Sequence, residues 1–116
     1  MELFSRITTD IPYYDSVLKG KEKFERGKKL KFKVVEMTPI EYLKRCSEIH
    51  ESTLEDEKKM ISEKHLESLI EYSKDNQLPL PFLNYIIKRQ EGRHRAGLCL
   101  KMNVPYMPVL IIEEDN

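Results

Sequence analysis

Apolar positions along this chain change their period several times, and each change marks an element. Leu30, Phe32 and Val34 alternate with lysines before an apolar close at Met37, the period-two pattern of a strand over 30–37. Thr38-Pro39-Ile40-Glu41 then opens a helix. Thr38 is placed to cap, Pro39 suits the first helical position, and Glu41 completes a capping box. Ile40, Leu43, Cys46 and Ile49 recur at helical spacing as far as about His50, and the polar stretch 51–59 shows no period. A second helix is predicted over 60–75, burying Ile61, Leu66, Leu69 and Ile70, until Leu78-Pro79-Leu80-Pro81 stops it.

Phe82 to Arg89, with Tyr85-Ile86-Ile87 at its middle, reads as a buried strand. Residues 93–102 read as a short helix with Ala96, Cys99 and Leu100 inward. Asn103 is placed as a left-handed terminator, and Pro105 forbids continuation. Val109 to Ile112 is the last strand. The predicted order is β, α, α, β, α, β, an α/β chain with a mixed sheet. A connection of about 18 residues between the last two strands fits a crossover. Before it, Pro12 is placed to open a short helix carrying Tyr14, Val17 and Leu18. We therefore divide the chain into an extension, 1–29, with a basic end, and a domain, 30–116.

Composition narrows this frame. A chain of 116 residues buries enough surface for one core without staples. Cys46 and Cys99 lie in apolar helical patterns with no metal-ligand spacing, so both are expected as reduced core thiols in a cytoplasmic protein. The amino-terminal residues lack the pattern of a signal peptide, no apolar run is long enough to span a bilayer, and no membrane partner is expected. Net charge is zero but sorted: residues 19–33 carry +6, residues 34–75 carry −5, and residues 76–112 carry +4. Lysines 19–33 are either a track for a nucleic-acid backbone or a solvated face. Glu63, Glu67 and Glu71 form an acidic row that reads as a solvated helix face.

The densest chemistry is Gln90-Glu91-Gly92-Arg93-His94-Arg95-Ala96. A strand bends through a glycine into a helix, where backbone N–H groups are unpaired and the helix dipole is positive. Gly92 permits a close backbone approach to a ligand. Arg95 is the first candidate for direct phosphate contact. Arg93 would meet a second phosphate or an acidic neighbour. His94 is either a phosphate donor and general acid or a structural donor within the loop. Glu91 would hold Mg²⁺ or orient a water, or else pair with an adjacent arginine. If the preceding strand and the last one are parallel, ligands are expected beyond the carboxyl end of that strand, which is where this turn would fall. Glu36 is a further candidate for the same crevice. His50 and His65 are expected at the surface.

The Glu91 to Ala96 box, the short helix after it and the Pro108-Val109 strand resemble the core of the ParB/sulfiredoxin superfamily, in particular its ParB-like nuclease domains. Gly92 and Arg95 stand at the two anchors of a G-x-x-R-x-x-A-like box, and 34–43 is similar to the family's opening strand and helix. The resemblance covers about residues 30–112. It implies a ParB/sulfiredoxin-like fold whose box, Gly92, Arg93, His94 and Arg95, cradles nucleotide phosphates. ATP or CTP with Mg²⁺ would be the cofactors and a nucleotide or DNA the partner, with a homodimer open. His94 and Glu91 would be the catalytic candidates for a metal-dependent nuclease or NTPase acting in DNA transactions. The alternative is a non-catalytic regulatory or interaction module that keeps the cradle. Arg93 stands where sulfiredoxins carry their cysteine, so sulfinic-acid repair is not expected. Nor is the DNA-site reading of full-length partition proteins, since the chain ends four residues past Ile112.

Overall fold

A computed structural model of the chain describes residues 2–6, 24–25 and 27–115. The helix expected from Pro12 lies outside these residues, as does most of the 19–29 segment. Among the described residues there are four helices and a mixed sheet of five strands, four of them forming its body and the short first one its edge. Strand β1, Phe24–Glu25, pairs antiparallel with the start of β2, Lys28–Met37. Three helices follow: α1 (Pro39–His50), α2 (Leu54–Lys59) and α3 (Glu63–Ser73). Then come β3 (Phe82–Asn84), β4 (Arg89–Glu91), α4 (Arg93–Lys101) and β5 (Met107–Glu114). The sheet order is β2-β5-β3-β4, with β1 extending it beside β2. Among the described strands, β3 and β5 are the one parallel pair.

Alternation along β5 sorts the core. Met107, Val109 and Ile111 join the main cluster with Tyr42, Leu43 and Cys46 of α1, Leu66 of α3 and Ala96, Leu98 and Cys99 of α4. Leu110 and Ile112 face the other way, into a second cluster with Leu30, Leu80 and Phe82. Phe4 also enters the main core, and residues 3–5 exchange two backbone hydrogen bonds with Leu78. Both cysteines are free and buried, as their apolar spacing predicts. Burial pushes each thiol up to about 12, so they are inert at neutral pH.

Local chemistry explains the boundaries. Thr38 Oγ1 accepts from the Glu41 amide at 3.1 Å, while the Glu41 carboxylate turns to Arg45. The full capping box forms at α2 instead, where Thr53 and Asp56 satisfy each other's amides. α2 lies in a stretch where the sequence shows no period. In α4, Leu98 is buried and Leu100 is 39% exposed, which reverses the predicted inward position of Leu100. Asn103 does take the left-handed conformation, at φ 56°.

The largest departure is between Phe82 and Arg89. A single strand is predicted; the structure makes a hairpin, β3 to β4, around the turn 85–88. Asn84 Oδ1 accepts from the Ile86 and Ile87 amides at 2.8 and 3.2 Å, an Asx turn that diverts the chain, and Lys88 completes it at φ 56°. Asn84→Ala removes both bonds at a buried site and is expected to destabilise the fold by about 2 kcal/mol, measurable by urea unfolding.

Candidate functional site

Because β4 folds back along β3, Glu91 lies opposite Phe82, the first residue of β3. The crossover between parallel β3 and β5 is present. Yet the Gly92 turn sits at the amino end of β3, not beyond its carboxyl end as predicted. The same end of the sheet holds the last residue of β2, Met37, opposite Met107, the first of β5.

Gly92 begins α4 with φ 152° and ψ 5°, a conformation that favours glycine. A Cβ there would lie 2.6 Å from Pro81 Cβ and 2.8 Å from Tyr42 Oη. The space expected to admit a ligand is therefore filled by the protein's own side chains. Tyr42 is buried on α1, and its hydroxyl lies 2.8 Å from Gln90 Oε1 and 3.1 Å from the Phe82 carbonyl. Gln90 Oε1 also accepts from the Arg93 amide at 3.2 Å, so one amide oxygen ties α1, β4 and the start of α4 together. Burial raises the Tyr42 hydroxyl's pKa well above its usual value and keeps it a donor.

Arg95 points inward, with its side chain 8% exposed. It donates to the Pro79 carbonyl at 2.6 Å and to Glu91 at 3.3 Å. The structure thus gives Arg95 internal partners where direct phosphate contact is predicted. Glu91 takes the arginine-paired alternative of its two readings. Burial lowers the Arg95 pKa, with Glu91 acting the other way.

Arg93 meets an acidic neighbour. Its Nε and Nη2 donate to Glu57 Oε1 at 3.2 and 2.9 Å. Glu57, on α2, has a side chain only 1% exposed, whereas that of Arg93 is 18% exposed. Ser52 donates to the other Glu57 oxygen at 2.7 Å, and His50 Nδ1 lies 3.3 Å from both. Burial alone would raise the Glu57 carboxyl pKa. Hydrogen bonds from Ser52, Arg93 and His50 overcome it and hold the carboxyl below its ordinary value.

His94 has a different surrounding. Its Nε2 lies 3.1 Å from the Ser62 amide, which donates to it, and its ring stacks on His65 at 4.0 Å and 14°. It is therefore an acceptor here and not the structural donor of the sequence reading. Burial lowers the His94 pKa, with His65 and Arg93 adding to the effect and Glu91 opposing it. His65 and His50 are both exposed as expected, and His50 in addition joins the Glu57 network. Glu36 pairs with Arg6.

The described part of the lysine segment is also engaged. Lys28 pairs with Glu114, Lys29 with Asp115, and Lys31 and Lys33 with Glu113. In the acidic row, Glu63 pairs with Lys101 and Glu71 with Lys74. Among the described residues, no group of three or more His, Cys, Asp or Glu side chains is arranged to hold a metal ion, and no helix is long and apolar enough to cross a membrane.

Tyr42, Ser52, Glu57, Ser62, Pro81 and Gln90 all shape the turn, and the first five carry no sequence signal of doing so. Only Gln90 could have been suspected, by its adjacency to the box. Compared with protein-family models, with curated proteins and with solved structures, the chain gave no match to any of them.

Gly92→Ala is expected to cost about 3 kcal/mol, through backbone strain and the clash with Pro81 and Tyr42, as read by thermal unfolding. Glu57→Gln should cost about 3 kcal/mol near neutral pH, because it removes the counter-charge of Arg93. The sign with pH is set by the lowered Glu57 pKa. Its stabilisation is present above about pH 4.5 and is lost as pH falls through the folded value. Acid titration of unfolding free energy should accordingly fall more steeply in wild type than in Glu57→Gln below that pH.

Proposed function

We propose that this chain is a phosphate-binding domain of the ParB/sulfiredoxin type, taking a nucleotide or a stretch of nucleic acid at the amino end of α4 and serving in DNA transactions. One observation supports it above the rest: the start of α4 itself. A strand passes through a glycine into a helix with no acidic residue in its first turn and no capping side chain at Gly92, and the next two residues are Arg93 and His94. Such a helix end favours an anion through its amides and its dipole. The Glu91 to Ala96 box and the order of elements around it carry the family likeness.

In this reading the parts of the box divide. Arg93, partly exposed, would face the phosphate together with the first-turn amides other than its own, which Gln90 already holds. Arg95 and Glu91 hold the turn in shape from within. ATP or CTP remains the class of nucleotide that the resemblance implies. Mg²⁺ would arrive with the phosphates, since Glu91 is a single carboxylate already paired with Arg95 and does not by itself make a metal site.

The non-catalytic version of this reading is favoured by where the two catalytic candidates stand. His94 spends Nε2 on the Ser62 amide, and Glu91 is paired with Arg95. A general acid or base needs that valence free for substrate. Binding without turnover is the outcome we expect.

The test is a panel of ATP, CTP, inorganic phosphate and short single- and double-stranded DNA, each with and without Mg²⁺, read by thermal unfolding and by backbone amide spectra. A ligand at tenfold over its Kd should raise Tm by about 5 °C and shift the amides of residues 92–95. Phosphate release and DNA nicking should stay at background. No shift at millimolar ligand, or shifts confined to Lys28–Lys33, would refute the site. Turnover in wild type would restore the catalytic version.

A further inference from the structure

We propose that His94 is an acid-sensitive latch that fastens the amino end of α3 to the first turn of α4 and releases it on protonation. The proposal stands on the protein alone and involves no phosphate, so a failed ligand titration leaves it intact.

The geometry centres on Ser62, the residue that caps α3. Its hydroxyl accepts from the His65 amide at 3.3 Å, an ordinary cap. Its own amide, outside the helix, donates to His94 Nε2 at 3.1 Å across the gap to α4. A ring nitrogen that accepts an N–H bond carries no proton. His94 is therefore neutral, with its proton on Nδ1. The His65 ring, one turn into α3, lies flat against the His94 ring at 4.0 Å. One histidine thus makes both the polar and the stacking contact with the start of α3.

Protonation reverses each contact. A proton taken from solvent onto Nε2 turns the acceptor into a donor facing the Ser62 N–H. The new imidazolium lies against the His65 ring, and the Arg93 guanidinium is its neighbour along α4. Glu91, on β4, is the acidic group that favours the charged form. The charge of Arg93 is already matched by Glu57 of α2, with His50 of α1 beside it, so that carboxylate is committed elsewhere. Burial first, with His65 and Arg93 adding to it, sets the balance toward neutral His94, below the ordinary 6.5. The sign follows from a lowered pKa on a basic group. The latch is fully closed above about pH 6.5, and its contribution is lost as pH falls through the folded value.

Release is confined to one end. Further along α4, Ile61 (the residue before Ser62) and Leu66 of α3 keep a close contact with Gly97, where a Cβ would lie 2.9 Å from Ile61 Cγ2. Lys101 also pairs with Glu63 at 2.8 Å. Acid should therefore loosen the Ser62 amide, the His65 ring and the start of α4 without unfolding the chain.

Side-chain ¹⁵N spectra of the wild-type protein at about pH 8 should show His94 as the Nδ1–H tautomer. Lowering the pH to about 5 should shift the Ser62 amide in one step centred below 6.5, and cut its exchange protection about tenfold. His94→Asn offers a side-chain carbonyl as acceptor that does not titrate, and should lack the step. An Nε2–H tautomer, a Ser62 amide indifferent to pH, or the same step in His94→Asn would each overturn the latch. The tautomer measurement needs no variant, so a poorly folding substitution does not shield the proposal.

Discussion

The turn at Gly92 exists because four pieces of chain converge where only a hydrogen atom fits. Tyr42 arrives from α1 and Pro81 from the lead into β3, and both touch the position a side chain would occupy. That contact fixes the path of β4 into α4. It also brings Gln90 to the Tyr42 hydroxyl and the Arg93 amide at once. From there the directions of the box are set: Arg93 toward Glu57, His94 toward Ser62, Arg95 back to the Pro79 carbonyl. A glycine that allows close approach is a sound inference from sequence. Whether the approaching group is a ligand or the protein itself is decided by residues 50 and 11 positions away.

The same division runs through the whole fold. Elements whose chemistry is local were legible. Alternation marks β2, Thr38 and Pro39 mark the start of α1, and Asn103 marks the end of α4. Short elements were not. α2 has six residues, too few for a helical period, and its one signal is the Thr53-x-x-Asp56 box. The hairpin was hidden because Ile86 and Ile87 favour a strand by propensity, while Asn84 imposes a turn by hydrogen bonding. That single misreading moves the candidate site to the opposite end of β3, since a strand that doubles back returns its far end to its start. For the site itself, the box was legible and its partners were not. Glu57 sits between Asp56 and Lys58 in a run of charges, and nothing in that run distinguishes the one buried carboxylate from the solvated ones.

Electrostatics repeats the pattern on a larger scale. The carboxylates that meet the basic segment lie far from it in sequence, at 113–115, and antiparallel pairing of β2 with β5 brings the two together. Lys28, Lys29, Lys31 and Lys33 on β2 meet Glu113, Glu114 and Asp115 at the end of β5. Each exposed pair contributes little to stability. Collectively they reduce the field that these four lysines would otherwise project toward a polyanion. Segment charge is thus a poor guide to surface potential when antiparallel strands juxtapose opposite segments.

The buried pair has the opposite character. Glu57 is out of water, so its charge is tolerable only while Arg93, Ser52 and His50 surround it. A phosphate at the start of α4 therefore cannot win Arg93 away from Glu57 without stranding a buried carboxylate, at a cost of several kcal/mol. A phosphate bound as proposed would have to lie beside the pair, using the turn amides that Gln90 leaves open and whichever guanidinium face is turned from Glu57. That requirement sets the geometry of any ligand. In that proposal Arg93 would act as a fixed post held from behind by Glu57, its charge largely spent before a ligand arrived. Affinity would rest mainly on backbone amides, and a helix terminus supplies only about 1 kcal/mol of charge stabilisation. Such a site suits a ligand that brings further contacts of its own, as a base or a second phosphate does, better than it suits a lone inorganic anion.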